Sequence, residues 1–566
     1  MNMKTINKFL TIGVVALSAA SCSLDLGPVD YYGSQNYWKS EANVIGYVDG
    51  LHKSLRDFTF DHTILLGEIR SGIYVDGVAY DGMTTSYGDH RMHNMSFTKP
   101  GITNFDNIFG RITNCNLLIA RAPEANMDEN KRNYCLAVAH GMRALYYFDL
   151  YRVWGGVPLR LGVEVIDGEL DPTKLTMPRS TPKAIMTQIK EDLKKSIELF
   201  GNQTGFNVLG RGNKCYWNKA ATLCLAAEVY MWNAKVACGD QPAEPNDINT
   251  AIAYLEDVKD HYNLDLESKF GDVFDAKKKC GKEVIFAVCY KEGEATNSNF
   301  SWTYNTGTGS ATTNGFREDG TPWNDPLQIV GLSGTNMSMA YCLDMWHQYD
   351  YCDGKKLDYD GIDSRKRATF IAQMRYDEEN NFYLYGIHTQ KNIGYINGQG
   401  VRISCGDYIL YRLPWVYLSL AEAYNFRDNG GNSCADMINK VRARAYGANW
   451  DEAKHAYKGG SFTENEYTIL AEKDKEFIQE GQRWWDLRRM TEEKGGSYLQ
   501  HFVFKDKASH PTNSGLIVSQ LNEGNAYKVL YPLDETMLSK DTSLDQNQGY
   551  ETVKDGKIVD WKPNGN

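Results

Sequence analysis

Ile185, Ile189, Leu193 and Ile197 recur every four residues behind Ser180-Thr181-Pro182. That spacing draws one apolar stripe along a helix, and the stripe requires another surface to cover it. Ser180 or Thr181 can cap such a helix and Pro182 suits its first turn, so the spacing predicts a helix over Pro182–Phe200. Helical patterns also cover Trp38–Arg56, Phe105–Ala122, Lys131–Trp154, Lys214–Val236 and Ile248–His261. They resume at Asp407–Arg427, Ser433–Tyr446 and Glu464–Met490. Lys214–Val236 carries Ala220, Ala221, Ala226 and Ala227, small residues that let helix axes approach closely. Paired helices rich in Ala and aromatics predict a mostly α chain built as a tetratricopeptide-like helical array, although no strict repeat of about 34 residues is visible.

Lys4 and Lys8 precede a short stretch of apolar and small residues, Leu10–Ala20, and Leu17-Ser18-Ala19-Ala20-Ser21 runs into Cys22. Such a run falls short of the roughly 20 apolar residues that span a bilayer, so it reads as a signal peptide. A small-residue site ending in Cys is the bacterial lipoprotein pattern, with the Cys22 thiol acylated. Residues 1–21 are therefore expected to be removed, leaving 22–566 as one exported, membrane-tethered domain. Its helical array would occupy about 37–261 and 407–490, interrupted by a variable, loop-rich insert with a few short strands over about 262–405. Within the insert, Glu283–Tyr290 is an expected strand. The segment Lys291–Gly334 is rich in Gly, Asn, Thr and Ser, and loops that long in compact domains usually carry function.

The net charge of −11 argues against nucleic acid, which is held mainly by Lys and Arg on phosphate. Twelve cysteines occur. With Cys22 taken by lipid, the rest form no C-x-x-C pair, which argues against zinc. Several, such as Cys224 in an Ala- and Leu-rich run, read as small buried hydrophobes. Many free thiols in an exported chain imply a reducing or anaerobic habitat. His90 and His93 are three apart in a polar stretch with no third ligand in sight, so a solvated loop is expected. Asp350, Asp353, Asp358, Asp360 and Asp363 fail the spacing of an EF-hand loop and also read as solvated. No metal or cofactor is expected. Neither G-x-S-x-G nor H-E-x-x-H occurs, and no motif isolates the two carboxylates that a glycoside hydrolase needs, so no catalytic residue is assigned.

Several blocks then fall in a telling order. Phe105-Asp106-Asn107-Ile108-Phe109 leads into Asn114-Cys115-Asn116-Leu117-Leu118-Ile119. Arg143-Ala144-Leu145-Tyr146-Tyr147-Phe148-Asp149-Leu150 precedes Trp154-Gly155-Gly156-Val157-Pro158-Leu159. Tyr411-Arg412-Leu413-Pro414, Ala421-Glu422-Ala423-Tyr424-Asn425 and Ile438-Asn439-Lys440-Val441-Arg442-Ala443-Arg444 follow. Glu476–Arg489 and Gln546-Asn547-Gln548-Gly549-Tyr550 close the series. In this order, behind a lipoprotein Cys, the chain resembles the SusD/RagB family of outer-membrane nutrient-binding lipoproteins over nearly all of its mature length. Lys473 and Gln548 depart from the Arg and Pro usual in the family. The resemblance implies a non-catalytic, cell-surface lipoprotein of the outer membrane that captures oligosaccharide and delivers it to a SusC-like TonB-dependent transporter.

Most of these blocks read as structural. In an expected Glu472–Arg489 helix, Phe477, Trp484 and Leu487 share a face with Glu480, and Glu480 can pair with Arg483 three residues on. Gly481 is tolerable there where a neighbouring helix crosses closely. Arg143 and Asp149, set in an apolar helix, are likewise packing residues.

A sugar ring offers C–H faces to aromatic rings and hydroxyl edges to polar partners. The long loop supplies both kinds of group, and Trp302, Tyr304, Phe316 and Trp323 are its candidate ligand contacts. By resemblance, ligand also meets a loop after the first helices. The matching stretch is Ile69–Asn94, with Arg70, Asp76, Tyr80 and Asp81 as candidates. The alternatives are a peptide-binding relative of the same family and a surface glycoside hydrolase.

Overall fold

The computed structural model describes residues 37–76, 88–91, 93–102, 105–163, 176–297, 315–328, 339–490, 526–550 and 558–559. Among the described residues, the helices used below come first as α1 (Glu41–Arg56), α2 (Asp106–Arg121), α3 (Glu129–Trp154), α4 (Pro182–Phe200), α5 (Lys219–Lys235) and α6 (Asp247–His261). Four more follow the insert: α7 (Leu413–Asp428), α8 (Ala435–Tyr446), α9 (Phe462–Glu476) and α10 (Arg483–Arg489). The strands used below are β1 (Tyr74–Asp76), β2 (Val284–Val288), β3 (Met339–Tyr341), β4 (Phe370–Tyr376), β5 (Phe382–Thr389) and β6 (Tyr408–Arg412).

Helix starts follow their caps. Thr181, rather than Ser180, accepts from the Ala184 N–H at the head of α4. Asp128 and Asn218 do the same for α3 and α5, and Ser461 with Glu464 forms a reciprocal capping box on α9. On α4, Ile185, Ile189 and Leu193 are buried, whereas Ile197 has rotated to the rim and Phe200 closes the stripe. A four-residue repeat on a helix of 3.6 residues per turn drifts in this way. The helices pack in succession, α2 on α3, α3 on α4, α4 on α5 and α5 on α6. The succession continues with α6 on α7 and α7 on both α8 and α9. The array therefore runs unbroken past the insert, which leaves α6 and returns at α7. One hydrophobic cluster joins Val44 on α1 to Ile469 on α9 and Leu544 near the end of the chain. Among the described residues no helix is long and apolar enough to cross a membrane.

The segment expected as one helix over Glu464–Met490 is broken. α9 ends at Glu476 and α10 starts at Arg483. Between them Gln479 and Gly481 take φ of 65° and 75°. Gly481 is needed because a Cβ there would lie 2.8 Å from the Thr63 Cα, while a Cβ on Gly67 would strike the Gly481 carbonyl. The break turns backbone and acid side chains toward neighbouring basic residues. Arg412, at the end of β6, donates to Glu283 at 2.8 Å, Glu476 at 2.6 Å and Glu480 at 2.8 Å. Arg444 binds Glu283 and Glu476. Arg365 binds Asp363, Glu472 and Glu476, and Lys391 binds Glu480 at 2.7 Å and the Ile478 carbonyl. All these side chains are buried. Glu480 therefore does not pair with Arg483 as expected; Arg483 pairs with Asp474 instead. Lys473 fills the family's Arg position by bridging Glu422 and Asp486 at 2.8 and 2.9 Å. Arg143 grips Asp192 through two nitrogens, and Asp149 lies between His62 and Arg152.

Three further expectations are corrected. His90 and His93 are buried rather than solvated. The His93 Nδ1 accepts from the Arg70 guanidinium at 2.8 Å, which leaves Nε2–H to donate to the Arg70 carbonyl. The acidic stretch is solvated only in part: Asp353, Asp358 and Asp360 are exposed while pairing with Arg442, Lys454 and Lys366, Asp350 is half-buried on Lys366, and Asp363 is buried on Arg365. Cys215 and Cys289 form a disulfide rather than remaining free. Eight other cysteines are buried thiols, as their apolar neighbours imply, and Cys280 is half-buried.

Removing one partner from a buried ion network strands the others' charge, at a cost of about 3–5 kcal/mol. Arg412→Leu is expected to lower unfolding free energy by about that amount in denaturant titration. Glu472 supplies a pH test. Burial pushes its carboxyl up, but Arg365 and Arg442 outweigh that and hold it at about 2. A depressed carboxylate stabilises the fold above its unfolded value near 4.5 and loses that contribution as pH falls toward 2. Wild type should lose about 3 kcal/mol more stability than Glu472→Gln between pH 5 and pH 2, on the order expected from the shift.

Candidate functional site

β4 and β5 form a long antiparallel hairpin, with Tyr376 opposite Phe382 at its tip. Asp377 closes the turn by accepting from the Glu379 and Asn381 N–H groups. Phe316 is drawn to this tip by a short ladder, exchanging hydrogen bonds with Met374 at 2.9 and 2.8 Å. Gly315 permits the approach: its φ is 107°, and a Cβ there would lie 2.6 Å from the Met374 carbonyl oxygen. The Phe316 ring meets Tyr376 edge-on at 5.2 Å and Phe382 at 6.2 Å, and Tyr376 and Phe382 lie 5.0 Å apart. Tyr376, Phe382 and Tyr383 are 48%, 37% and 41% exposed, which sets this cluster apart from the many aromatics inside the array. Polar groups rim it: Asp319 holds the Thr321 hydroxyl at 2.7 Å, and Asn381 donates to Asp377. The charge pair Glu318–Arg367 ties the Phe316 turn to the helical turn at Arg365–Thr369.

Beneath the tip, a second hydrophobic cluster joins Ile69, Ile73 and Tyr74 to Tyr341, Phe370, Ala372 and Ile387. β1 pairs with β3 in antiparallel register, Asp76 opposite Met339. The two loop regions expected to meet ligand, one after the first helices and one in the insert, thus stand on one foundation.

Individual candidates fare differently. Phe316 lies in the exposed cluster. Trp323 is buried, its N–H bonded to the Gly315 carbonyl and its ring 5.5 Å from His388. Arg70 is buried too, its guanidinium between the Trp484 and Tyr531 rings at 4.5 and 4.9 Å and bonded to the Val529 carbonyl. The expectation that Trp323 and Arg70 face ligand is corrected by this burial: Trp323 anchors the loop, and Arg70 fastens the C-terminal segment. Tyr80, Asp81, Trp302, Tyr304 and the lipidation site Cys22 lie outside the described residues, and Asp76 is placed by its backbone alone. Sequence reading missed Tyr376, Phe382 and Tyr383. The signal was present as two aromatic-rich runs flanking Asp377-Glu378-Glu379-Asn380-Asn381, a hairpin pattern.

A cleft of about 650 Å³ opens elsewhere, lined by Tyr351, Tyr457, Tyr467, Asp353, Arg442 and Glu472. Its charges are spent on one another, since Arg442 binds Asp353 at 2.5 Å and Glu472 at 2.8 Å. The hairpin tip is therefore the better candidate for recognition.

The molecule is thus a helical array carrying a loop-rich insert with exposed rings at its hairpin tip, and comparison with known proteins gives the family. The SusD family model matches residues 346–550, and a model described as starch-binding, associating with outer membrane, matches residues 64–231. A solved SusD superfamily protein from Bacteroides fragilis is 46% identical, covering 91% of this chain and all of that one with a TM-score of 0.80. SusD-like protein P2 of Formosa agariphila is 23% identical, covering 85% of this chain and 90% of its own. Surface glycan-binding protein A from Bacteroides uniformis shares the fold at 16% identity and a TM-score of 0.64, covering 90% of this chain and all of that one. The chain belongs to the SusD family of carbohydrate-binding proteins.

If Trp323 is an anchor, Trp323→Ala should lower unfolding free energy by about 3–5 kcal/mol, the range for an emptied buried aromatic. Phe316→Ala, at a half-buried ring, should cost less than Trp323→Ala in the same denaturation assay.

Proposed function

We propose that this chain is a non-catalytic, lipid-anchored protein of the cell surface. It captures oligosaccharide on the hairpin-tip aromatics and delivers it to a SusC-like TonB-dependent outer-membrane transporter. The observation that carries the reading is the Phe316–Tyr376–Phe382 cluster, with Tyr376 and Phe382 exposed, Phe316 half-buried against them and hydrogen-bonding groups around the rim. Rings held edge-on present flat faces on which a pyranose can stack. The neighbouring Asp319 and Asn381 meet the need of its hydroxyls for partners. The rings are pre-set by the ladder at Met374 and the Trp323 anchor, so little ordering cost is left for binding. We extend the same surface to Trp302 and Tyr304 on the insert side and to Asp76, Tyr80 and Asp81 on the β1 side. Cys22 would supply the lipid tether after residues 1–21 are removed.

A panel of polysaccharides, oligosaccharides and peptides, titrated by calorimetry against chain lacking residues 1–22, tests the reading. Saturable oligosaccharide binding with no cleavage products is expected. Tyr376→Ala and Phe382→Ala should each weaken it about tenfold, equivalent to about 1.4 kcal/mol, with unchanged melting temperature. Binding of peptides alone, or turnover of the glycan, would replace the proposal. Full affinity in the Tyr376→Ala/Phe382→Ala double variant would move the site elsewhere.

A further inference from the structure

Three cysteines distant in sequence meet at one point on the edge of the array. Cys215 lies just before α5, Cys280 in the turn ahead of β2, and Cys289 just after it. β2 pairs antiparallel with β6, Val288 opposite Tyr408, which brings Cys289 beside Asp407. One ligand atom from each of Cys215, Cys280, Cys289 and Asp407 can be chosen so that all four lie within 4.8 Å of one another. The Cys280 sulfur is 3.4 Å from that of Cys215, which is bonded to Cys289. Cys280 takes φ of 54°, a left-handed conformation uncommon outside glycine.

The carboxylate is the second, independent observation. Asp407 Oδ1 accepts from the Tyr290 N–H at 3.0 Å and from the Lys279 ammonium. Oδ2 is buried without a hydrogen-bond partner, and the side chain as a whole is 8% exposed. An orphaned buried carboxylate oxygen is costly and rare. A cation at the convergence of the three sulfurs would satisfy it.

We propose that, when the Cys215–Cys289 bond is reduced, Cys215, Cys280, Cys289 and Asp407 hold one divalent cation of the zinc class in a tetrahedral site of three sulfurs and one oxygen. Two equivalents of a small thiol reduce the disulfide, giving two protein thiols and the small thiol's own disulfide. Metal binding then releases three thiol protons to solvent, and Asp407 binds through Oδ2. Zinc–sulfur bonds of about 2.3 Å and zinc–oxygen bonds of about 2.0–2.2 Å set tetrahedral ligand atoms roughly 3.5–3.8 Å apart, a spacing this cluster can adopt with small side-chain shifts. Thiolates select a soft or borderline ion over calcium or magnesium. Four anionic ligands around a divalent ion leave two negative charges, offset by Lys279 on Asp407 and by Lys214, which sits against the same turn through the Gly281 carbonyl at 2.7 Å. With four protein ligands the site is closed, so its role is structural, clamping the β2–β6 pair to the approach of α5. The disulfide would be the oxidised form of the same clamp.

The test uses the full chain in detergent, treated with a thiol reductant, loaded with zinc and freed of excess by gel filtration. Elemental analysis should find one zinc per chain. Cobalt(II) in its place should give the sulfur-to-metal charge-transfer absorption of tetrahedral thiolate coordination. Cys280→Ser and Asp407→Asn should each weaken zinc binding at least tenfold, whereas Cys434→Ser, a buried thiol elsewhere, should leave it unchanged. Circular dichroism checks that each variant is folded. Should Cys280→Ser fail to fold, Asp407→Asn decides the matter alone. Reduced chain that retains no zinc, or zinc binding untouched by Asp407→Asn, would overturn the proposal.

Discussion

Arg412 is the hinge pin of the molecule. It closes β6 just where the chain returns from the insert to the array, and its guanidinium reaches Glu283 beside β2, Glu476 at the end of α9 and Glu480 in the break that follows. Each of these carboxylates has another buried cation, Arg444, Arg365 or Lys391. Burial alone would push such carboxyls up. The surrounding guanidinium groups outweigh it and hold Glu476 well below the usual carboxylate range. Buried ion pairs are weak evidence for net stability, because desolvation offsets most of their attraction. Their value here is geometric. An arginine with fixed donors in a plane accepts few arrangements of three carboxylates, so the network sets how the 477–482 break sits against β6 and the insert.

The insert depends on that placement. Ile478, in the break, belongs to the same hydrophobic cluster as Ile69, Tyr341, Phe370 and Ile387. Lys391, just past β5, donates to the Glu476 and Ile478 carbonyls. The base of the hairpin is thus fastened to the broken helix, and its tip leaves Tyr376 and Phe382 exposed. Packing of long helices gives a rigid scaffold. The recognition surface proposed above is carried on a short sheet, whose loops can differ in length and ring placement without disturbing the helix contacts.

The array was legible in the sequence because apolar periodicity and capping residues are local signals. Pro182–Phe200 falls where Thr181, Pro182 and the Ile185 stripe put it, and the small residues of α5 do sit in the core. The break after Glu476 was hidden because its cause is not local. Gly481 reads as a helix glycine until Thr63 and Gly67, some four hundred residues earlier, are seen against it. Arg70 and Trp323 misled for the same reason. The polar, Gly-rich surroundings of Trp323 suggest exposure, and Arg70 lies where the resemblance places a binding loop, yet Arg70 is caught between two rings and Trp323 lies beneath its own loop against His388. The sulfur cluster had no readable spacing, since the packing of the segment before α5 against β2, rather than a short motif, brings Cys215 to Cys280 and Cys289.

The interior charges and the surface rings are complementary uses of costly groups. Arginines and glutamates are spent inside, where saturation by one another leaves them nothing to offer a ligand; Arg442 in the wall of the large cleft is an example. Aromatic area, abundant enough to fill the core, is left uncovered at the hairpin tip, where the backbone ladder and the Trp323 anchor already bear the cost of order. A neutral sugar needs flat apolar faces and a few hydrogen-bonding edges rather than a strong field. Tyrosine and phenylalanine exposed on a stiff hairpin suit the class of ligand proposed above.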